Sequence, residues 1–132
     1  MAGETASTTE VRHYRRVGAE ECHYNGYLMS GAHILQFVSD AGGELLIRHD
    51  GEGGLLAAVE QASFHEPVYA GETLEILVRL VKVGHRSRRM DFEVYKHIRK
   101  RFDVNLGAAE VLDPPLLVAK GTTVGVVGKM PR

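Results

Sequence analysis

The longest regular pattern in the chain is a run of apolar residues at helical spacing. Ile34, Phe37, Val38, Ala41 and Leu45 recur at steps of three and four, which puts them on one buried face of a helix. Ser30 stands at the expected N-cap, where its hydroxyl accepts from an amide of the first turn. Gly51, Gly53 and Gly54 are stop signals that end the helix near His49. The period then changes to two. Leu74, Ile76, Val78 and Leu80 alternate with Glu75 and Arg79 over 73–83, and Met90, Phe92 and Val94 alternate with Asp91 and Glu93 over 88–98. A tight turn at 84–87 joins these two segments into a predicted antiparallel hairpin. Residues 55–64 read as a strand of small side chains on which the helix lies. Residues 10–17 alternate weakly and suit a charged edge strand. Residues 99–105 read as a polar turn. Residues 107–112 are expected to make one helical turn, ended by Pro114 and Pro115, before a last strand over 116–127.

The predicted order is one strand, a long helix and four further strands. A lone helix against a continuous antiparallel sheet is an α+β arrangement. Leu77, Val81 and Val83 fall on the face away from the helix, where a second protomer is expected to cover them.

Composition narrows the function. A chain of 132 residues is one domain. It is read here as residues 10–128, between a disordered lead-in at 1–9 and a tail at 129–132. A net charge of −1 argues against general nucleic-acid binding. No apolar run reaches the roughly 18 residues of a membrane span. Cys22 is the only cysteine, so no internal disulfide forms and a cytoplasmic location is expected. It has no evident positive surroundings and is not read as a nucleophile. No His-x-x-x-His pair or cysteine cluster appears, so no metal site is expected.

The candidate chemistry gathers at and after the helix start. Gly31 and Ala32 leave that start bare of bulk. Its free amides and partial positive charge suit a developing oxyanion. Asp40 sits close to the apolar stripe, beside Gly42 and Gly43, which each cost about 0.5–1 kcal/mol relative to Ala inside a helix. Such a pair admits a ligand or another backbone. The plainer alternative is a surface aspartate on a helix broken at its glycines. Glu44 lies one turn beyond Asp40 on the same face. Two close carboxylates push one pKa up and yield an acid and a base; the alternative is an ordinary ion pair with Arg48, worth about 0.3–0.5 kcal/mol. His23 and Tyr24, in the loop before the helix, suit proton transfer and hydrogen bonding, or else packing at an interface. Glu60 either completes an acidic cluster or is a paired strand residue. Arg86, Arg88 and Arg89, followed by Lys96, Arg99, Lys100 and Arg101, form a basic region, interleaved with Asp91 and Glu93 as a solvated strand face would be.

Several segments together resemble a known family. They are His23-Tyr24-Asn25-Gly26, Ser30-Gly31-Ala32, Asp40-Ala41-Gly42-Gly43-Glu44-Leu45, Pro67-Val68-Tyr69-Ala70-Gly71-Glu72, Val83-Gly84-His85-Arg86-Ser87, Phe92-Glu93-Val94-Tyr95-Lys96 and Pro114-Pro115. In this order and spacing they resemble hotdog-fold enzymes, and within them the β-aminoacyl-coenzyme A ammonia lyases. The likeness spans about Val17 to Val127. It departs at Glu21, where that group usually has Asp, at Tyr27, where it has Asn, and at His65 and Glu66, which replace smaller residues.

The resemblance implies an antiparallel sheet wrapped around one long central helix. It implies a lyase that interconverts a short β-aminoacyl-coenzyme A with the enoyl thioester and ammonia. Asp40 would be the base facing the thioester at a dimer interface, with Glu44, His23 and Tyr24 as further catalytic groups. Gly31 and Ala32 would hold the thioester oxygen, and Arg86, Arg88 and Arg89 the phosphates of coenzyme A. No separate cofactor is implied, because coenzyme A belongs to the substrate. The expected partner is a second copy, with dimers assembling to a hexamer. A thioesterase or an enoyl-coenzyme A hydratase of the same fold is the alternative, and a non-catalytic acyl-thioester-binding protein is a third reading.

Overall fold

The computed structural model of the protein describes residues 8–128. Most of the expected lead-in and the whole tail lie outside the described residues. Thr9, at the end of that lead-in, accepts a backbone hydrogen bond from Leu80.

The elements are β1 (Glu10–Arg16), α1 (Gly31–Asp50), β2 (Leu55–Phe64), β3 (Thr73–Val83), β4 (Ser87–Lys100) and β5 (Ala109–Val126), with two short 3-10 turns between β1 and α1. The five strands form one antiparallel sheet in the order β1-β3-β4-β5-β2. Helix α1 begins as its sequence dictates. The Ser30 hydroxyl accepts from the His33 amide at 3.2 Å. Gly51 closes the helix at φ 82, its amide bonded to the Ile47 carbonyl, a left-handed position that glycine takes at no steric cost. The helix runs unbroken through Gly42 and Gly43.

The apolar stripe of α1 packs on the inner faces of the central strands. Ile34, Phe37, Val38, Ala41, Leu45 and Leu46 are buried against a core that includes Leu74, Ile76, Val78, Met90, Phe92 and Val94. This is the α+β arrangement of one helix on an antiparallel sheet.

Four expectations are corrected. Strand β4 continues to Lys100, so the polar turn begins later. Residues 107–112 form no helical turn, because β5 is a single strand from Ala109 to Val126 with Pro114 and Pro115 inside it. The prolines are tolerated there because the ladder with β4 breaks: Lys96 pairs with Leu116 and Ile98 with Val111, so residues 112–115 bulge out where no ladder amide is needed. Strand β2 does not lie under the helix. It is an edge of the sheet, at the opposite side from β1, and is exposed over most of its length. On the outer face, Leu77 is already buried within one protomer, whereas Val81 and Val83 are exposed.

Candidate active site

Two connections meet at the start of α1. The loop before the helix folds back on itself, with Tyr24 bridged to Leu28 and Leu28 to Tyr69. The Met29 amide donates to the Val68 carbonyl at 2.8 Å, and the Ala70 amide to the Tyr27 carbonyl at 3.0 Å. Between them lies an open hollow lined by Tyr24, Gly31, Ile34, Phe64, His65 and Pro67, among others. The Phe64 ring crosses directly over Gly31: a Cβ there would meet it at 3.1 Å. The Gly31 and Ala32 amides have no acceptor among the described residues. A helix start with unsatisfied N–H groups opening into a hollow can stabilise a carbonyl oxygen that gains charge.

A buried ion pair anchors these loops from below. Glu72 and Lys96 are almost fully excluded from solvent and lie 2.9 Å apart. Lys96 also donates to the Pro67 carbonyl at 2.7 Å. Glu72 accepts from the Tyr69 amide at 2.8 Å and the Lys100 amide at 2.9 Å. Each charge thus has several partners, which a buried pair needs to offset its desolvation. Sequence reasoning gave Glu72 no role and counted Lys96 in the basic region, whereas Lys96 is buried and committed to Glu72.

The acidic residues of the helix lie elsewhere. Asp40 is nine residues beyond Gly31, about 13 Å along the axis at 1.5 Å per residue. Its carboxylate is half exposed, on the flank facing β1, with the Arg15 guanidinium 3.8 Å away. Arg15 itself stacks on the Phe37 ring at 4.2 Å. Glu44 accepts from His13 at 2.9 Å and from Arg48 at 3.0 Å. These two bonds hold its carboxyl below the usual glutamate range. The expectation that close carboxylates raise the pKa of one of them is therefore corrected at Glu44: its bonds to His13 and Arg48 lower it, and it is a carboxylate at neutral pH.

Further along the same flank, His33 contacts Glu21 at 3.2 Å. Burial pushes the Glu21 carboxyl up, but the Gly18 amide, His33 and Arg15 outweigh it and the net shift is downward. Sequence reasoning missed this pair and the His13–Glu44 bond. Helical spacing does carry part of the signal, since 33, 37, 40 and 44 share a face.

Three comparisons bear on this arrangement. Residues 26–101 match the family model described as the thioesterase superfamily. The chain is 40% identical over 114 residues to a 3-aminobutyryl-CoA ammonia lyase of Acetoanaerobium sticklandii, covering 86% of this chain and 90% of that protein. The chain belongs to the thioesterase superfamily. Within this superfamily it also superposes on the solved β-alanyl-CoA:ammonia lyase from Clostridium propionicum, with a TM-score of 0.86 and 29% identity over 91% of this chain and 85% of that one. An acyl-CoA hydrolase from Staphylococcus aureus, solved with butyryl coenzyme A, shares the fold at a TM-score of 0.68 and 15% identity, over 92% of this chain and 64% of that one. The fold is the hotdog fold.

In this superfamily member the predicted residues separate into two groups. Gly31, Ala32 and Tyr24 meet at the helix start. His23 is exposed in the same loop, with no hydrogen bond among the described residues. Asp40 and Glu44 lie together on the β1 flank, away from that hollow within one protomer. The basic region is largely committed to internal partners. Arg88 is buried and clasps Asp50 at 2.8 Å while donating to the Gly84 and Ser87 carbonyls. Arg89 pairs with Glu60. Arg86 donates to the Val127 carbonyl at 3.1 Å. Among the described residues, no cluster of His, Cys, Asp and Glu is suited to a metal ion, and no helix is long and apolar enough to cross a membrane.

Proposed function

We propose that this protein is a β-aminoacyl-coenzyme A ammonia lyase acting as a homodimer. The observation that carries the reading is the 40% identity to a 3-aminobutyryl-CoA ammonia lyase across 90% of that protein's length. The thioester carbonyl rests against the Gly31 and Ala32 amides. A carboxylate removes the proton α to it. The electrons form the enolate, then the carbon–carbon double bond, and the carbon–nitrogen bond breaks with release of ammonia. The substrate enters as an ammonium ion, so neutral ammonia leaves without a second proton. Asp40 is the base, and Glu44, held ionised by His13 and Arg48, attracts the substrate ammonium. Tyr24 and His23 orient the reacting end.

The distance between Asp40 and Gly31 within one protomer is bridged by a second copy. Strand β2 is an unpaired edge with exposed Leu55, Leu56, Val59 and Phe64, and an apolar edge strand is a template for pairing. Pairing β2 with its own copy about a two-fold axis sets the Leu55 end of one strand against the Phe64 end of the other. In the assembled protein the Asp40 flank of one protomer serves the helix start of another. Such dimers assemble further as a trimer.

The test is the ultraviolet absorbance of crotonyl- or acryloyl-coenzyme A mixed with the protein, with and without ammonium. The enoyl chromophore is consumed only when ammonium is present. Loss without ammonium would indicate a hydratase, and release of free thiol a thioesterase; either outcome, or no reaction, rejects the lyase.

A further inference from the structure

The flank of α1 that carries Asp40 and Glu44 is matched to strand β1. Two strand residues span about 6.6 Å and four helical residues about 6 Å, so alternate side chains of β1 meet every fourth residue of the helix. His13 accordingly reaches Glu44, and Arg15 reaches Asp40. The two matches differ in kind. His13 bonds Glu44 at 2.9 Å. The Arg15 guanidinium stops 3.8 Å from the Asp40 carboxylate, beyond hydrogen-bond length. Among the described residues Asp40 accepts no hydrogen bond from a side chain, so its charge has a partner while its oxygens stay open.

Arg15 itself is held from several sides. Its backbone is paired with Leu74 of β3. Its guanidinium lies 4.2 Å from the centre of the Phe37 ring, which is buried about one turn before Asp40. One terminal nitrogen faces Asp40, and the other donates to Glu21 at 3.5 Å. Glu21 is fixed in turn. The Gly18 amide donates to one of its oxygens at 2.9 Å, and His33 contacts the other at 3.2 Å. The net downward shift at Glu21 keeps it a carboxylate at neutral pH. The His33 ring stands edge-on to Phe37, 5.2 Å between centres. An exposed ion pair with two flexible ends is worth little. Here a ring face and a second carboxylate set the cation, and only the Asp40 end is left to adjust.

We propose that Arg15, anchored by Glu21 and the Phe37 ring, is the positioning residue that holds the Asp40 carboxylate ready to take the substrate α-proton. The inference rests on the assignment of Asp40 as the base given above. Arg15 exchanges no proton, since a guanidinium stays charged throughout. The proton passes from the α-carbon to an Asp40 oxygen, and the electron pair goes to the enolate. Asp40 is then neutral, and Glu21 remains as the counter-charge, so the guanidinium is never stranded during turnover.

The test uses the variants R15M, R15K, E21Q and D40N, with R15M also combined with E21Q and with D40N. Each is assayed by ammonium-dependent loss of the enoyl thioester, beside its denaturation midpoint. R15M keeps an apolar stem over Phe37 and removes the charge. It should lower kcat about ten- to a hundredfold, the scale of a base displaced by about 1 Å. KM and the midpoint should hardly move, because an exposed pair contributes little stability. R15K should recover part of the loss. E21Q should cost less than R15M and add nothing to it, and R15M should cost nothing further in D40N, as groups acting through one another do. A wild-type kcat in R15M, or the same fall in D40N as in the wild type, overturns the positioning role. A fall in kcat matched by a lowered midpoint overturns it also. D40N at a tenth or less of the wild-type rate, with R15M unchanged, keeps the base and rejects only Arg15. D40N at the wild-type rate, or a wild type without ammonium-dependent turnover, removes the reading beneath and the inference with it.

Discussion

Four acidic side chains divide between two environments. Glu72 and Asp50 lie inside the protomer, each clasped by a cation and further hydrogen bonds: Glu72 by Lys96 and two amides, Asp50 by Arg88. Asp40 and Glu44 stand half open on a helix flank. Asp40 has one distant guanidinium, and Glu44 accepts from His13 at one oxygen and from Arg48 at the other while staying partly open to solvent. A carboxylate completed within one chain positions backbone. One left open to solvent can still meet a substrate or a second chain. The comparison gives Glu72 and Asp50 partners that suit architecture, and it is Asp40 and Glu44 that we propose for chemistry.

Substitutions can break this division, and their effects fall in order. Lys96→Met leaves the Glu72 charge buried and unpaired, so chemical denaturation should show a loss of about 3–5 kcal/mol. The double variant Glu72→Leu/Lys96→Met should lose much less; an equal loss would mean that the carbonyl and amide contacts, not the charges, dominate. Asp40→Asn should lower kcat by about 10²–10⁴, the range for a general base, with the denaturation midpoint unchanged. A stability loss without a kinetic one would move Asp40 to the structural class. Gly31→Pro deletes one candidate oxyanion donor at a helix position that accepts proline, behind a residue already extended at ψ 153, with the Phe64 ring yielding a few tenths of an ångström to the new Cβ. It should cost about 10²–10³ in kcat.

The smallest effect is acid sensitivity. Arg88 bonds hold the Asp50 carboxyl below its usual range, against burial and with help from His49. A depressed folded pKa gives stability that is complete above the unfolded value of about 4 and is lost as pH falls through the folded one. Urea unfolding at stepped pH should therefore show a shallower acid loss in Asp50→Asn than in the wild type.

What was legible in the chain was what local chemistry dictates. Ser30 and Gly51 bound α1, and the alternations through Leu74–Leu80 and Met90–Val94 fixed which faces of β3 and β4 turn inward. Strand order was not legible, because nothing in residues 55–64 distinguishes a strand under the helix from a free edge. Pro114 and Pro115 read as a stop because their tolerance depends on a break in the ladder with β4. The candidate site was read by type and not by partner. Arg88 looked like a phosphate ligand because Asp50, which neutralises it, lies 38 residues away. Glu44 looked like half of a carboxylate dyad because His13 lies 31 residues back. Long-range pairing of this kind is set by topology.

The claim on which the mechanism turns is that Asp40 and the amides at Gly31 act from different protomers. Co-expression of Asp40→Asn chains with Gly31→Pro chains tests it. Each variant alone is nearly inactive, but in a mixed dimer one of the two sites pairs an intact Asp40 with an intact helix start. Random pairing should then restore about a quarter of the wild-type ammonia-lyase activity. Activity no higher than that of the separate variants would contradict the shared site.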